Sequence, residues 1–325
     1  MNKYCYFTMI CTLGLCSLGH AHPSNPIIIQ GTAIVENIDE TTCKIATSDI
    51  AFIYWDDFSI GENGSVELIQ PSSKSVVVMQ VTSSVPSALL GTLKANGNIF
   101  LVNPSGVQIG KNGQIDTSGF LVSTLSTCPC PLIDGDYDIF IQGSSKAQII
   151  NRGRIIASEN DVYLFGYQID NQGVIDAQRG TVAIAAGQEV VLNSSNGQKI
   201  GAFAFPIKCE NEERGIDNSG KIIAHRVELK ADGNAYGTAI SHSGFIEIVG
   251  IAEHNGEAYL IADKGNQVIS GTISVEHGKE SGGEIQILGG HISLFENFHV
   301  SGKHHLDIQG EVEHLASDDT FLLGL

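Results

Sequence analysis

Along most of the chain, apolar residues come in short alternating runs, each opened by a polar phrase that ends in glycine. The phrase reads Asn151-Arg152-Gly153-Arg154-Ile155-Ile156-Ala157 and then Asn171-Gln172-Gly173-Val174-Ile175-Asp176-Ala177. It returns as Asn218-Ser219-Gly220-Lys221-Ile222-Ile223-Ala224, as His242-Ser243-Gly244-Phe245-Ile246-Glu247, and as Ile269-Ser270-Gly271-Thr272-Ile273-Ser274-Val275. Between the phrases lies a second apolar run, at 162–165, 181–185, 227–230, 258–262 and 284–288. Alternation at a period of two predicts strands. No window carries apolar residues at helical spacing between capping residues, so helices are not predicted.

A strand-only repeat of roughly 20 to 27 residues is the mark of a solenoid. The fold class this predicts is all-β: a right-handed parallel β-helix with its N-terminal end capped. Each coil supplies two or three short strands that pair with their equivalents about 4.8 Å above and below. Equivalent Asn, Gly and apolar residues then stack in columns. The phrase glycine is expected to take a left-handed corner. Two segments break the rhythm, around 127–138 and 206–217, and are expected to be surface excursions. Beyond His304 the pattern decays. Residues 31–60 are placed to cover the open N-terminal end, because an exposed strand edge templates aggregation.

The stretch from 89 to 125 is the densest in turns. Ile99-Phe100-Leu101-Val102 predicts a strand, and Asn103-Pro104-Ser105-Gly106 stops it. Proline cannot donate to a ladder, and Asn and Gly accept turn conformations. The line ANGNIFLVNPSGVQIGKNGQIDTSGFLVSTL resembles the N-terminal secretion domain of filamentous haemagglutinin-like exoproteins. Their hallmark is Asn-Pro-Asn-Gly, which stands here as Asn103-Pro104-Ser105-Gly106 with Ser for the second Asn. Two further lines match in order. Ile53-Tyr54-Trp55-Asp56-Asp57-Phe58-Ser59-Ile60-Gly61 resembles the family's I-W-x-x-F-x-I-G, and Gln70-Pro71-Ser72-Ser73 through Val77 resembles its QPSSSSV. The phrases after residue 150 resemble the haemagglutinin-like repeats that follow.

The resemblance implies a β-helix and two-partner (type Vb) secretion, in which the N-terminal domain is the signal for a dedicated outer-membrane transporter. The partners implied are the periplasmic domains of that transporter and a host-cell or glycan ligand. The place implied is the surface or surroundings of a Gram-negative-type bacterium, reached through the periplasm. The expected organisation is a signal peptide at 1–21, a secretion domain at 22–125, and a continued β-helix with haemagglutinin-like repeats at 126–325. The secretion motif is Asn103, Pro104, Ser105 and Gly106. The commonest role in the family is adhesion, carried by long C-terminal regions. This chain has almost none, so a truncated or free-standing secretion module is expected.

The first residues fit export. Lys3 gives a positive start, residues 4–18 are apolar and uncharged, and Gly19-His20-Ala21 offers small residues where a signal peptidase reads. Charge narrows the partners. A formal net charge of −18 argues against nucleic acid and anionic lipid surfaces. The chain has no room for a membrane barrel of its own. Cleavage would leave Cys43, Cys128, Cys130 and Cys209. A Cys128–Cys130 bond would be strained, so pairing with Cys43 or Cys209 is geometrically easier.

Because β-helices also include polysaccharide lyases and hydrolases, acidic clusters carry the competing enzyme reading. Candidates are Asp56-Asp57, Asp318-Asp319 and Asp134-Gly135-Asp136-Tyr137-Asp138. The last begins like a calcium loop but has Ile139 and Ser145 where Gly and Glu belong. Adjacent His304-His305 point to opposite faces of a strand and make a poor chelate. No cofactor or metal is expected, and no enzyme. Trp55 and Phe58 read as core or cap in preference to a sugar-stacking platform.

Overall fold

A computed structural model describes residues 22–127, 139–192, 200–203, 213–231, 236–250, 255–276 and 282–316. Within them the chain forms 30 strands in a 26-stranded, mostly parallel sheet and a separate 4-stranded sheet. The large sheet is wound into coils with three faces, as expected for a parallel β-helix.

The coil is easiest to follow where the strands are short. Ser87–Leu89, Thr92–Ala95 and Asn98–Val102 form one turn, and Val107–Ile109, Gln114–Thr117 and Gly119–Ser123 form the next. Each pairs in parallel with its equivalent: Val107 with Ser87, Gln114 with Thr92, Phe120 with Ile99. Every second residue therefore points inward and meets the same kind of residue one coil away. One such column runs Ile53, Met79, Leu101, Val122, Leu164, Ile184, Leu229, Leu260, Ile287 and Ile308. Another begins at Cys43 and continues through Val66, Leu93, Ile115, Ile155, Ile175, Ile222, Ile246, Ile273 and Val300. Nearly all are fully buried. Fully burying one such side chain stabilises by about 1.5–3 kcal/mol, and the repetition makes each coil's contribution alike.

The phrase glycines also form a column, for a different reason from the one expected. Gly64, Gly91, Gly113, Gly153, Gly173, Gly220, Gly244 and Gly271 stack in order, and none of the last six has a positive φ. A Cβ on Gly173 would lie 2.2 Å from the carbonyl oxygen of Gly153, and one on Gly244 would lie 2.1 Å from that of Gly220. Close approach of one coil to the next, not a left-handed corner, demands glycine here. The same approach lets the residue after each glycine donate its N–H to the glycine carbonyl below, as Val174 does to Gly153 at 2.9 Å.

Three other expectations change. Phrase and second run are often one strand bent at a corner: Val174–Ala186 and Lys221–Ala231 each serve two faces, with a register shift between. The pattern does not end at His304, because His304–Leu315 pairs with Gly283–Phe295 and adds further rungs. The second excursion does not extend to 217, because Arg214–Asn218 is a coil strand paired in parallel with Gln168–Asn171, while 128–138 and 206–212 lie outside the described residues. Ser126–Thr127, Ile139–Gln142, Glu189–Leu192 and Ile200–Phe203 form the small antiparallel sheet. Ile141 and Val190 of that sheet share a second core with Leu121, Phe165, Ala183 and Ala185, which point outward from one face of the helix.

The N-terminal end is capped by antiparallel strands. Ile27–Gln30 lies along Ile50–Trp55, and Ala33–Asn37 lies along Thr42–Thr47. The capping strands thus occupy 27–37, while Thr42–Thr47 and Ile50–Trp55 already belong to the first coil.

Candidate functional site

The three sequence lines that carry the resemblance meet on consecutive coils. In the first, Ile53, Trp55, Phe58 and Ile60 all point into the core. Trp55 and Phe58 meet edge to face, with ring centroids 5.4 Å apart. Both are fully buried, so they are core and not a sugar platform. Ser59 Oγ accepts from the N–H of Ala88, and Ile60 is bonded through its N–H and its carbonyl to residues 88 and 90.

The second line closes on the coil above it. Gln70 N–H donates to Asn96 Oδ1 at 2.8 Å, and Asn96 Nδ2 donates back to the Gln70 carbonyl at 2.7 Å. Gly97 leaves room for this clasp, since a Cβ there would lie 2.6 Å from the Gln70 side chain. Ser75 Oγ donates to Asp49 in the coil below, and Asn98 Nδ2 donates to the carbonyls of Ser73 and Ser75.

The third line contains the tetrapeptide. Asn103 is completely buried. Its carbonyl accepts from Gly106 N–H at 3.0 Å, closing a β-turn, and its Oδ1 accepts from Ser105 N–H at 2.8 Å. Its Nδ2 donates to the Val85 carbonyl and to Ser87 Oγ, both at 3.0 Å. Pro104 fixes the backbone and needs no donor partner, while its carbonyl accepts from Ser145 Oγ of the next coil at 2.6 Å. Ser105 Oγ reaches the Ser83 carbonyl at 3.4 Å. Gly106 sits at φ +113°, a region that a side chain resists. One turn thereby ties together the coil before it, its own coil and the coil after it. Pro104 and Ser105 are half-buried and are the part of the tetrapeptide that solvent reaches.

A chain with this architecture and these stacked lines can be compared directly with known proteins. The model of the TPS secretion domain matches residues 24–287. The chain belongs to the TPS secretion domain family. Among curated relatives of this family member are two Heme/hemopexin-binding proteins of Haemophilus influenzae. One, from strain ATCC 51907 / DSM 11121 / KW20 / Rd, is 28% identical over 250 residues, which is 74% of this chain and 27% of the relative. The other is 27% identical over 287 residues, 77% of this chain and 30% of the relative. The chain therefore spans under a third of the length of the curated relatives it matches. The crystal structure of the HMW1 secretion domain from Haemophilus influenzae superposes with a TM-score of 0.63 at 26% identity, covering 90% of this chain and 76% of that one. A filamentous hemagglutinin secretion domain superposes with a TM-score of 0.49 at 14% identity, covering 90% and 100%. As a TPS protein, the chain is a two-partner exoprotein that leaves a Gram-negative cell through the periplasm for the surface or beyond. The family implies an outer-membrane transporter as its partner.

The chemical alternatives fare as follows. Asp56 accepts from Asn25, and Asp57 accepts from Ser59 and, through its carbonyl, from Ser24; both acids serve the N-terminal cap. Among the described residues no group of three or more His, Cys, Asp or Glu is placed to hold a metal. Residues 1–21, Cys128, Cys130, Cys209, the Asp134–Asp136–Asp138 cluster and Asp318-Asp319 lie outside the described residues. Cys43 is a free thiol in the core column, and burial pushes its ionisation up.

The stacking expected of the phrase asparagines appears as a polar column inside the helix, and it passes on to His242. Asn151 Nδ2 donates to Asn171 Oδ1 at 2.8 Å, and Asn171 Nδ2 donates to Asn218 Oδ1 at 2.7 Å. Asn218 Nδ2 then meets His242 Nδ1 at 3.0 Å, and His242 Nε2 faces the Thr272 carbonyl at 3.4 Å. An amide nitrogen can only donate, so Nδ1 accepts and Nε2 carries the hydrogen. All four side chains are fully buried. Burial drives the His242 pKa down to about 4, against the opposing pull of Thr272 and Asn218. The repeated first residue of the phrase was the visible signal.

Proposed function

We propose that the chain is a transporter-dependent exoprotein with a binding, non-enzymatic role outside the cell, that of an adhesin or haemagglutinin-like surface protein. Residues 1–21 act as the signal peptide for the inner membrane. Residues 22–125 carry the signal for the outer-membrane transporter, and 126–325 extend the β-helix that presents a ligand surface. The observation that carries the reading is the turn at Asn103, which locks three successive coils within the region matched by the family.

In this reading the chain crosses the outer membrane unfolded and folds outside. Each added coil covers the exposed edge of the last, so growth of the ladder pulls folding forward. The turn at 103–106 sets the first register that later coils copy. Its contribution is structural: the Asn103 side chain is inaccessible in the folded domain, so a transporter meets it only in the unfolded chain.

A second reading shares the export route and differs in cargo. The curated relatives are Heme/hemopexin-binding proteins, which supports haem or hemopexin as a ligand of the exported protein. The test is co-expression with candidate outer-membrane transporters, followed by assay of medium and periplasm for wild type and Asn103→Ala. Release into the medium that requires one transporter and drops in the variant supports the reading. Retention in the periplasm whatever the transporter, with wild type and variant alike, overturns it. Exported protein is then assayed for host cells, glycans, haem and hemopexin, and for polysaccharide cleavage.

A further inference from the structure

The glycine column has a second consequence on the outer surface. Because no side chain rises from it, the corner it runs along is a trough with bare backbone for a floor. The trough spans Gly113 to Gly244 and encloses 720 Å³. Five glycines at coil spacing give it a length of about 19 Å. In a molecule of net charge −18, its walls carry Lys111, Arg152, Arg154 and Lys221 and no carboxylate. The other wall residues are mostly neutral amides and serine, with the ring of Phe245 at one end.

We propose that this trough binds an extended glycan bearing carboxylate or sulfate groups. The four cations come from three of the five coils, Lys111 from that of Gly113, Arg152 and Arg154 from that of Gly153, and Lys221 from that of Gly220, so they are spread along the trough. They match charges spaced along a chain better than a single small anion. Arg154 and Lys221 each keep an acid at their back, Asp176 at 3.3 Å and Glu247 at 2.7 Å. In both pairs the cation stays about half exposed, 52% for Arg154 and 41% for Lys221, while its acid is largely covered. Arg154 spends one of its five donors on Asp176, and Arg152 spends one on Gln172 Oε1 at 3.2 Å. The remaining donors are free to meet anionic groups in a planar, paired geometry. Neutral amides and hydroxyls beside them suit sugar hydroxyls. Single-stranded nucleic acid needs aromatic platforms for successive bases. The one ring lining this trough, Phe245, already carries the Lys221 ammonium 5.0 Å from its centre.

The site names a ligand class for the surface-binding role above and rests on that role, not on the export route. Purified mature protein is therefore used, so that loss of glycan binding and loss of export are read separately. Heparin and hyaluronan oligosaccharides, neutral dextran oligosaccharides and a single-stranded DNA oligonucleotide are titrated at low salt. The variants are Arg152→Gln/Arg154→Gln, Lys111→Glu and, outside the trough, Lys303→Gln, each checked for an unchanged circular dichroism spectrum. Binding of an acidic oligosaccharide well above dextran and DNA is expected. It should weaken about tenfold or more in the double variant, clearly in Lys111→Glu, and not in Lys303→Gln. No binding, equal loss in Lys303→Gln, unchanged affinity in the folded trough variants, or DNA bound as tightly would each overturn the proposal.

Discussion

Asn103 and Val85 stand 18 residues apart in sequence, yet the amide of the first donates to the carbonyl of the second at 3.0 Å inside the protein. That bond and its companion to Ser87 Oγ join the corner at 83–87 to the corner at 103–106. Leaving such buried groups unpaired costs about 1–3 kcal/mol. Asn103→Ala is therefore expected to lower stability by about that amount. Asn103→Asp keeps the shape but loses both donors and should be no better. Thermal melts of the purified domain check this, and a melt unchanged in both variants would contradict the hub.

Much of the architecture was legible because a solenoid writes the same message repeatedly. The column from Ile155 through Ile175, Ile222 and Ile246 to Ile273 follows directly from the phrase register. The small antiparallel sheet was not legible, because Ile139–Gln142 and Glu189–Leu192 bear no repeat of each other and stand outside the coil register. The turn at 103–106 was legible as a turn, but its bonds to Val85 and Ser145 depend on coils stacking across 18 and 41 residues. The trough was hidden for the same reason: Lys111 and Lys221 are far apart in sequence and line one groove.

Gly173→Ala tests the reason for the glycine column. A left-handed corner would be relieved by Asn, which accepts positive φ. Close approach to the Gly153 carbonyl, at 2.2 Å from an ideal Cβ, is relieved by no side chain. Both Gly173→Ala and Gly173→Asn are expected to destabilise, by about 2 kcal/mol or more. Denaturant titration of the two variants decides, and Asn matching wild type would restore the left-handed account.

His242 gives the fold a pH dependence of known sign. Its folded pKa of about 4 lies below the ordinary value of 6.5, so the unfolded chain binds the proton more readily. Its contribution to stability is complete above pH 6.5 and is lost as pH falls from there toward 4. The loss from this one group is about 2 kcal/mol at pH 5. His242→Asn extends the asparagine column and is expected to flatten stability between pH 7 and 5. Melts across that range check it, and an equal slope in the variant would contradict it.

Cys43 behaves as a small core residue in this structure. Its buried, raised thiol is expected to resist alkylation in the folded protein and to react on unfolding. Mass spectrometry of the peptide containing Cys43, after iodoacetamide with and without denaturant, reads this directly. Rapid labelling in the folded state would place the residue outside the core.

The central claim is that the turn at 103–106 serves export because it locks the early coils together. The most direct measurement is the amount of protein released through its transporter by Asn103→Ala, set beside a late-coil variant of matched stability such as Ile273→Val or Ile273→Ala. The account predicts release abolished or cut severely in Asn103→Ala and largely kept in the matched variant. Equal release from both, or release of wild type without the transporter, would contradict it.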